Sequence, residues 1–462
     1  MKIVIAGAGD MGTHLAKMLS GSGHDITIAD VDAKALAEVG SLADVITVEG
    51  DVTQFSVLRN AGVRRCDLFI AVRSVENDNV LSSIIAKQLG AKKVIARVDS
   101  KEYLEPSNKE VFIDMGLDYI FYPEQIAARE VINLLGHTSS SEYVDFAAGK
   151  LSLVAFRLEL TSPLLGRRVI DPDHYNENLD YRTVAIVRGT QTIIPSVTDR
   201  YEEGDMVYTI VRHGASQRVV ELSGRHDVVI RNMMILGGSR IGVRVASELQ
   251  DIMDVKIVEY NGEKAFRLAE QLEKTLIIHA DGRNLEAMQE EGLSNMDTFL
   301  AVTGRSETNI LAAMQAKRMG VKKVIAEVEN INYISLAESI GVDTIINKKL
   351  VTASNIFRFT MTTDVQAIKC LTGSQAEVLE FIVKPNSPAT KHPIEELGLP
   401  EDTMIGGVVR GDRVFIAVGS TQINAFDRVV VFAMPVLNIS SKKSKNLFFI
   451  LMETHYTLQV PI

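Results

Sequence analysis

The sequence predicts a doubly wound, parallel α/β sheet, built twice along one chain. Two observations predict it. Short Val/Ile-rich runs at 2–6, 25–29, 45–48, 68–72, 93–98 and 119–121 are continuous in their apolar character, as strands buried on both faces are. Helical stretches such as 12–20, 56–61 and 75–89 lie between these runs, and six strands with crossover helices give a Rossmann sheet.

In chain order, Lys2–Ala6 leads straight into a glycine turn, so it is expected to be a first strand and not the apolar core of a signal peptide. The helix after it opens with the third glycine of Gly7-Ala8-Gly9-Asp10-Met11-Gly12. The second run ends in an acid, Asp30, and the third is followed by Asp51. Arg73-Ser74 follows the fourth run, and Arg97 lies within the fifth.

The pattern then recurs. IVIAGAGDMGTHLAKML around Gly7 matches MILGGSRIGVRVASEL around Gly237, an offset of 230 residues. Asp51 and Asp281, Gly62 and Gly292, Asp67 and Asp297, Asn79 and Asn309, and the two KKVIA segments at 92–96 and 322–326 keep that offset, so the register reads as gapless. A long shared register is the signature of duplication. After each sheet come a helical stretch (124–136 and about 349–359) and a short, β-rich segment sharing the phrase Val187-Arg188-Gly189 or Val409-Arg410-Gly411. The expected domains are 1–123 and 230–349 (Rossmann) and 140–225 and 366–450 (small α+β), with a Ser-rich linker near 138–142. The second small unit reads Phe426-Asp427 where the first has Gly204-Asp205, which suggests a lost turn.

Composition narrows the function. The 462 residues carry a net charge of −10, so a phosphate-coating surface and a nucleic acid partner are not expected. Two cysteines, Cys66 and Cys370, form neither a disulfide framework nor a CxxC site, and Cys66 reads as a small buried apolar residue. No apolar run approaches the ~20 residues that span a bilayer, so a cytosolic protein is expected.

The candidate site is a dinucleotide turn. Gly7 permits the bend, Gly9 lets the backbone approach a pyrophosphate, and Gly12 lets helix pack on strand, with the helix N-terminus aimed at the phosphates. Asp30, 18 residues beyond Gly12, is placed to accept from a ribose diol and to repel a 2′-phosphate, which favours NAD over NADP. Arg73 and Arg97, near a ligand crevice, could neutralise a diphosphate or serve only as solvated surface charge. In the second copy the turn is Gly237-Gly238-Ser239-Arg240-Ile241-Gly242; Ser239 replaces the middle glycine and its Cβ is expected to crowd the pyrophosphate. Glu259 replaces Asp30 and could still hold a ribose, while Thr303 replaces Arg73 and Glu327 replaces Arg97, predicting weaker or altered binding there, or none. The nine histidines show no metal-ligand spacing, and neither a nucleophile elbow nor a phosphate loop of the GxxxxGK[ST] kind occurs, so neither a catalytic residue nor a metal site is assigned.

GAGDMGTHLAKML, the Asp30 strand end, Glu49-Gly50-Asp51, DLFIAV at 67–72 and KKVIARV at 92–98 resemble the TrkA-type regulatory subunits of Trk potassium uptake, built from RCK (KTN) domains. The resemblance covers residues 1 to about 435 and implies NAD+ or NADH in the Rossmann crevices, with ATP or ADP competing in some relatives. It implies that Gly7, Ala8, Gly9, Asp10 and Met11 hold the pyrophosphate, Asp30 the ribose and Asp51-Val52 the adenosine edge, with Arg73, Ser74 and Arg97 completing the pocket. It further implies a homotetramer whose eight units form a ring, paired by the helices after each sheet. That ring would dock on the inner face of the plasma membrane against a potassium transporter subunit. Two alternatives stay open: an NAD-dependent oxidoreductase of a small substrate, and a soluble nucleotide sensor with a non-membrane partner. The tail at 436–462 has no counterpart after the first copy.

Overall fold

The computed structural model describes residues 1–434 apart from 22–23, 138–139, 171–179, 190, 225–228, 358, 360–364, 372–375 and 401. The tail at 436–462 therefore lies outside the described residues, as does the expected end of the last domain at 450.

The first half forms β1 (Lys2–Ala6), α1 (Asp10–Gly21), β2 (Asp25–Asp30), α2 (Ala33–Leu42), β3 (Ile46–Glu49), α3 (Phe55–Asn60), β4 (Leu68–Ala71), α4 (Glu76–Leu89), β5 (Lys93–Arg97), α5 (Pro106–Asp114) and β6 (Tyr119–Phe121). The six strands are parallel in the order β3-β2-β1-β4-β5-β6, so the doubly wound class expected from the sequence is the one the chain adopts. Val4, Ala6, Phe69, Ala71, Val94 and Ala96 point to one face and pack with Leu58, Ala86 and Ile120. Each fully buried large apolar side chain contributes roughly 1.5–3 kcal/mol. Cys66 joins this core at 1% exposure, and burial pushes its thiol up to about 12, which keeps it unreactive. This compact unit also includes the described part of 352–363, where Phe359 lies against Tyr119 with ring centroids 4.8 Å apart.

The second compact unit begins at Glu124, inside α6 (Pro123–Leu135). It continues through a small antiparallel sheet: β7 (Glu142–Phe146), β8 (Leu151–Arg157), β9 (Tyr181–Arg188), β10 (Gln191–Ile193), β11 (Met206–Arg212), and then α7 (Ser216–Leu222). Part of the expected Ser-rich linker is thus strand, since Glu142 opens β7. The second Rossmann sheet follows as β12 (Asn232–Leu236), α8 (Arg240–Leu249), β13 (Asp254–Glu259), α9 (Gly262–Gln271), β14 (Leu276–His279), α10 (Leu285–Glu290), β15 (Thr298–Ala301), α11 (Ser306–Arg318), β16 (Lys323–Glu327), α12 (Ile334–Ser339) and β17 (Thr344–Ile346). α13 (Lys348–Phe357) leads to β18 (Val365–Cys370), β19 (Glu377–Ile382), β20 (Thr403–Arg410), β21 (Arg413–Ile416) and β22 (Arg428–Ala433).

The second Rossmann sheet repeats the first in order, β14-β13-β12-β15-β16-β17. The repeat is not gapless: β13 stands 229 residues after β2, whereas β12 and β14 stand 230 after β1 and β3. One residue is absent from the connection into β13 and one is added before β14, and surface connections tolerate such changes. One face of this sheet is covered by Ala127, Ala128, Val131 and Leu134 of α6, packed on Met233, Ile235, Leu300 and Ile325. The helix that follows the first sheet therefore closes the core of the second.

The two small sheets share one topology, β7-β8-β11-β9-β10 and β18-β19-β22-β20-β21, and one core containing Leu151, Val184, Ile210, Val378, Val430 and Phe432. The shared Val-Arg-Gly phrase has a structural cause. Arg188 forks onto buried Asp205 (Nε–Oδ1 2.8 Å, Nη2–Oδ2 2.8 Å), and Arg410 forks onto buried Asp427 (3.0 and 2.8 Å). The turn expected to be lost in the second small unit is kept: Phe426 takes φ +68° where Gly204 takes φ +80°, and the Asp after each still caps its arginine.

Gly406 and Gly407 of β20 set the distance between the small sheets. A Cβ on Gly406 would stand 2.5 Å from Ile210 Cγ1, and one on Gly407 would stand 2.7 Å from Leu151 Cδ1. Gly406→Val is expected to destabilise the chain by about 1–3 kcal/mol through overpacking, read as a lower denaturant midpoint for this unit. An unchanged midpoint would contradict the close packing.

Candidate functional site

In the first half the candidate residues gather at the carboxyl ends of β1, β2, β4 and β5, around the point where the strand order reverses between β1 and β4. Gly7 holds φ +116°, and a Cβ there would lie 3.0 Å from the Arg73 backbone nitrogen. At Gly12 a Cβ would fall 1.8 Å from the Gly7 carbonyl oxygen, so no other residue fits. At Gly9 a Cβ would meet nothing within 4 Å, which leaves open space in front of the turn and the start of α1. Asp10 is exposed there, whereas Ala8 and Met11 are buried. This cradle fits a pyrophosphate, because Gly9 leaves backbone N–H groups unscreened by a side chain.

Asp30, 9% exposed, locks the turn. Its Oδ2 accepts from the Ala8 N–H at 2.7 Å and its Oδ1 from the Asp32 N–H at 3.0 Å. Asp51 Oδ1 accepts from the Thr53 N–H (2.9 Å) and hydroxyl (2.8 Å), and those bonds, the backbone one foremost, hold its carboxyl below the usual range. The Val52 side chain lies wholly in the core. Arg73 Nη1 pairs with Asp78 at 2.8 Å, Ser74 is exposed beside it, and Arg97 bonds Asp99 through Nε and Nη2 at 3.1 and 3.0 Å.

The second half keeps the turn and changes its chemistry. Gly237 holds φ +101°, and a Cβ on Gly238 would lie 2.4 Å from Leu268 Cδ1. Glu259 repeats the role of Asp30, with Oε2 accepting from the Gly238 N–H at 2.9 Å and Oε1 from the Asn261 N–H at 2.9 Å. Burial raises its pKa, but the Asn261 N–H, Lys264 and the Gly238 N–H together outweigh that and hold it below the usual range. Ser239 caps α8, its Oγ accepting from the Gly242 N–H at 3.3 Å. Arg240 is exposed and Ile241 is buried in the core. Asp281 is forked by Arg283 (Nε–Oδ1 2.9 Å, Nη2–Oδ2 2.7 Å). These residues surround a cavity of about 470 Å³ lined by Gly237, Ser239, Glu259, Lys264, Asp281 and Arg283, a size that suits a nucleotide. Glu327 does not line it. At 4% exposure Glu327 sits against Lys348 Nζ at 3.1 Å, an ammonium that Glu329 shares at 2.9 Å, so this carboxylate lies outside the cavity lining.

The TrkA-N domain family matches residues 3–123 and 233–348, which is each Rossmann sheet, and the TrkA-C domain matches 378–435. The chain is 32% identical to the Trk system potassium uptake protein TrkA of Vibrio alginolyticus over 94% of its own length and 95% of that protein's. The chain belongs to the TrkA family. It is also 32% identical to the TrkA homolog of Archaeoglobus fulgidus, again over 94% of this chain and 97% of the relative. Among solved structures, the GsuK channel bound to NAD shares the fold with a TM-score of 0.59 at 15% identity, over 98% of this chain and 79% of that one. The GsuK RCK domain does so with a TM-score of 0.58 at 15% identity, over 98% and 95%.

One residue of this TrkA-family site was visible in the sequence only as a repeat match. Asn79, fully buried, accepts from the Arg73 N–H at 2.8 Å and donates to the Arg73 and Arg97 carbonyls at 2.9 and 3.0 Å, tying β4 to β5 beneath the crevice. Asn309 makes the same three bonds, to the Thr303 N–H (2.9 Å) and to the Thr303 and Glu327 carbonyls (3.1 and 2.9 Å). Its identity in both copies is the signal: a buried amide that must both donate and accept tolerates little substitution. Asn79→Leu is expected to lower stability by about 2–4 kcal/mol by leaving buried backbone groups unpaired, measured by chemical unfolding. A variant as stable as the parent would show that the bonds do not matter.

Proposed function

We propose that this chain is the NAD(H)-binding regulatory subunit of a Trk-type potassium uptake system, acting without catalysis of its own. The observation that carries the reading is the first-half turn. Asp30 pins it from behind, Gly9 opens it in front, and Gly7 and Gly12 admit no Cβ. When bound, the dinucleotide would supply its diphosphate as the anion for the α1 N-terminus. The backbone from Gly7 to Met11 would hold that diphosphate and Asp30 the ribose. Asp51 and the Val52 backbone would meet the adenosine edge, with Arg73, Ser74 and Arg97 around the rest. Membership of the TrkA family supports potassium uptake as the context, and ATP or ADP would compete for the same crevice. No helix among the described residues is long and apolar enough to cross a membrane, which is compatible with docking on the cytoplasmic face of a transporter.

The tandem order of the chain supports a homotetramer whose eight Rossmann units form a ring. A nucleotide alters such a ring only by the difference in its affinity for two conformations, and coupling of about 1–3 kcal/mol is typical. The ring would pass that bias to the transporter gate. Asp30→Ala is expected to weaken NADH binding at least tenfold in calorimetry and to abolish the NADH response of potassium flux in proteoliposomes that contain the transporter. A binding-dead variant that still controls flux would overturn the reading.

A further inference from the structure

The two turns share a backbone but are surrounded by different cations: the second half gains two at its ribose end, and Arg305, in place of Val75, lines its cavity at the other end. At the pyrophosphate end the second half loses the Arg73–Asp78 pair, replaced by Thr303 and Thr308, and Glu327 takes the place of Arg97. At the ribose end, structural alignment of β2 with β13 and β3 with β14 puts Asn261 for Asp32, Lys264 for Ala35 and Arg283 for Thr53. Both new cations line the cavity; Glu263, which replaces Lys34, does not. Lys264 Nζ stands 3.0 Å from Glu259 Oε2, and Arg283 forks Asp281. Each acid at this end is therefore matched by a cation of its own, whereas the acids on the equivalent strand ends of the first half face Ala35 and Thr53. Lys264 and Arg283 remain partly exposed, so their outer N–H groups can take up a further anion.

We propose that the second Rossmann pocket accepts a nucleotide phosphorylated on its adenosine ribose, of the NADP(H) class, through Lys264 and Arg283, and that the first pocket rejects it. The acid after the second strand ordinarily repels a 2′-phosphate, and a nearby cation is what accommodates one. This rests on the proposed reading of the glycine turn as a nucleotide cradle, extended to the second half.

The test is calorimetric titration of the full chain with NADPH and, separately, NADH. The expected result is one NADPH per chain, retained in Asp30→Ala and weakened at least tenfold in Lys264→Ala combined with Arg283→Thr. Lys264→Arg should retain binding, and matched thermal unfolding of the double variant would exclude misfolding. Absence of NADPH binding, its loss in Asp30→Ala, or its indifference to the double substitution would each overturn the proposal. NADH binding that is lost in Asp30→Ala would still stand in all three cases. Conversely, absence of any NADH site would remove the proposed first-half function while leaving the NADPH result to be judged by its own variants.

Discussion

Both halves depend on one contact: a carboxylate at the end of the second strand accepting the N–H of the residue after the first glycine. Asp30 does this for Ala8 at 2.7 Å and Glu259 for Gly238 at 2.9 Å. The bond fixes the turn between β1 and α1, and so fixes where the α1 N-terminus points. The same carboxylate takes a second N–H from its own following loop, at 3.0 Å for Asp32 and 2.9 Å for Asn261. An acid so held has no freedom to move aside, and Glu259 makes the same two bonds as Asp30 despite its extra methylene.

Around that turn the chain uses its duplication to complete cores that neither half completes alone. The helix after the first sheet packs on Met233, Ile235 and Ile325 of the second. The small sheets bury one shared core, brought together where Gly406 and Gly407 carry no Cβ. Duplicated sequence made both sheets, but divergence decided their sites. The second half loses the Arg73–Asp78 ion pair and gains Lys264 beside Glu259 and Arg283 beside Asp281, so its strand-end acids are ion-paired where those of the first half are not.

Much of this was legible in advance. Strand positions, the doubly wound class, the glycine turn and the repeat follow from Val/Ile runs and from residues whose physical role is local: a turn needs Gly7, a close helix needs Gly12. The expectation that Glu327 would place an anion in the second pocket failed because a side chain's direction depends on what packs beside it. Glu327 lies against Lys348, 21 positions away in sequence, and not on the cavity wall. The gapless register failed for a smaller reason, two compensating single-residue changes in surface connections.

The sequence by itself determined the fold class, the duplication, the dinucleotide-shaped turn and the family, because periodicity and glycine spacing act over a few residues. Tertiary structure alone decided that Asn79 ties two strand ends beneath the site, that Arg188 and Arg410 each fork a buried aspartate 17 residues on, and that Lys264 reaches Glu259. Those bonds link the ends of successive elements, from Lys264 and Glu259 across one strand-to-helix turn to Asn79 and Arg97 on separate strands, and their geometry exists only once the chain has folded those ends together.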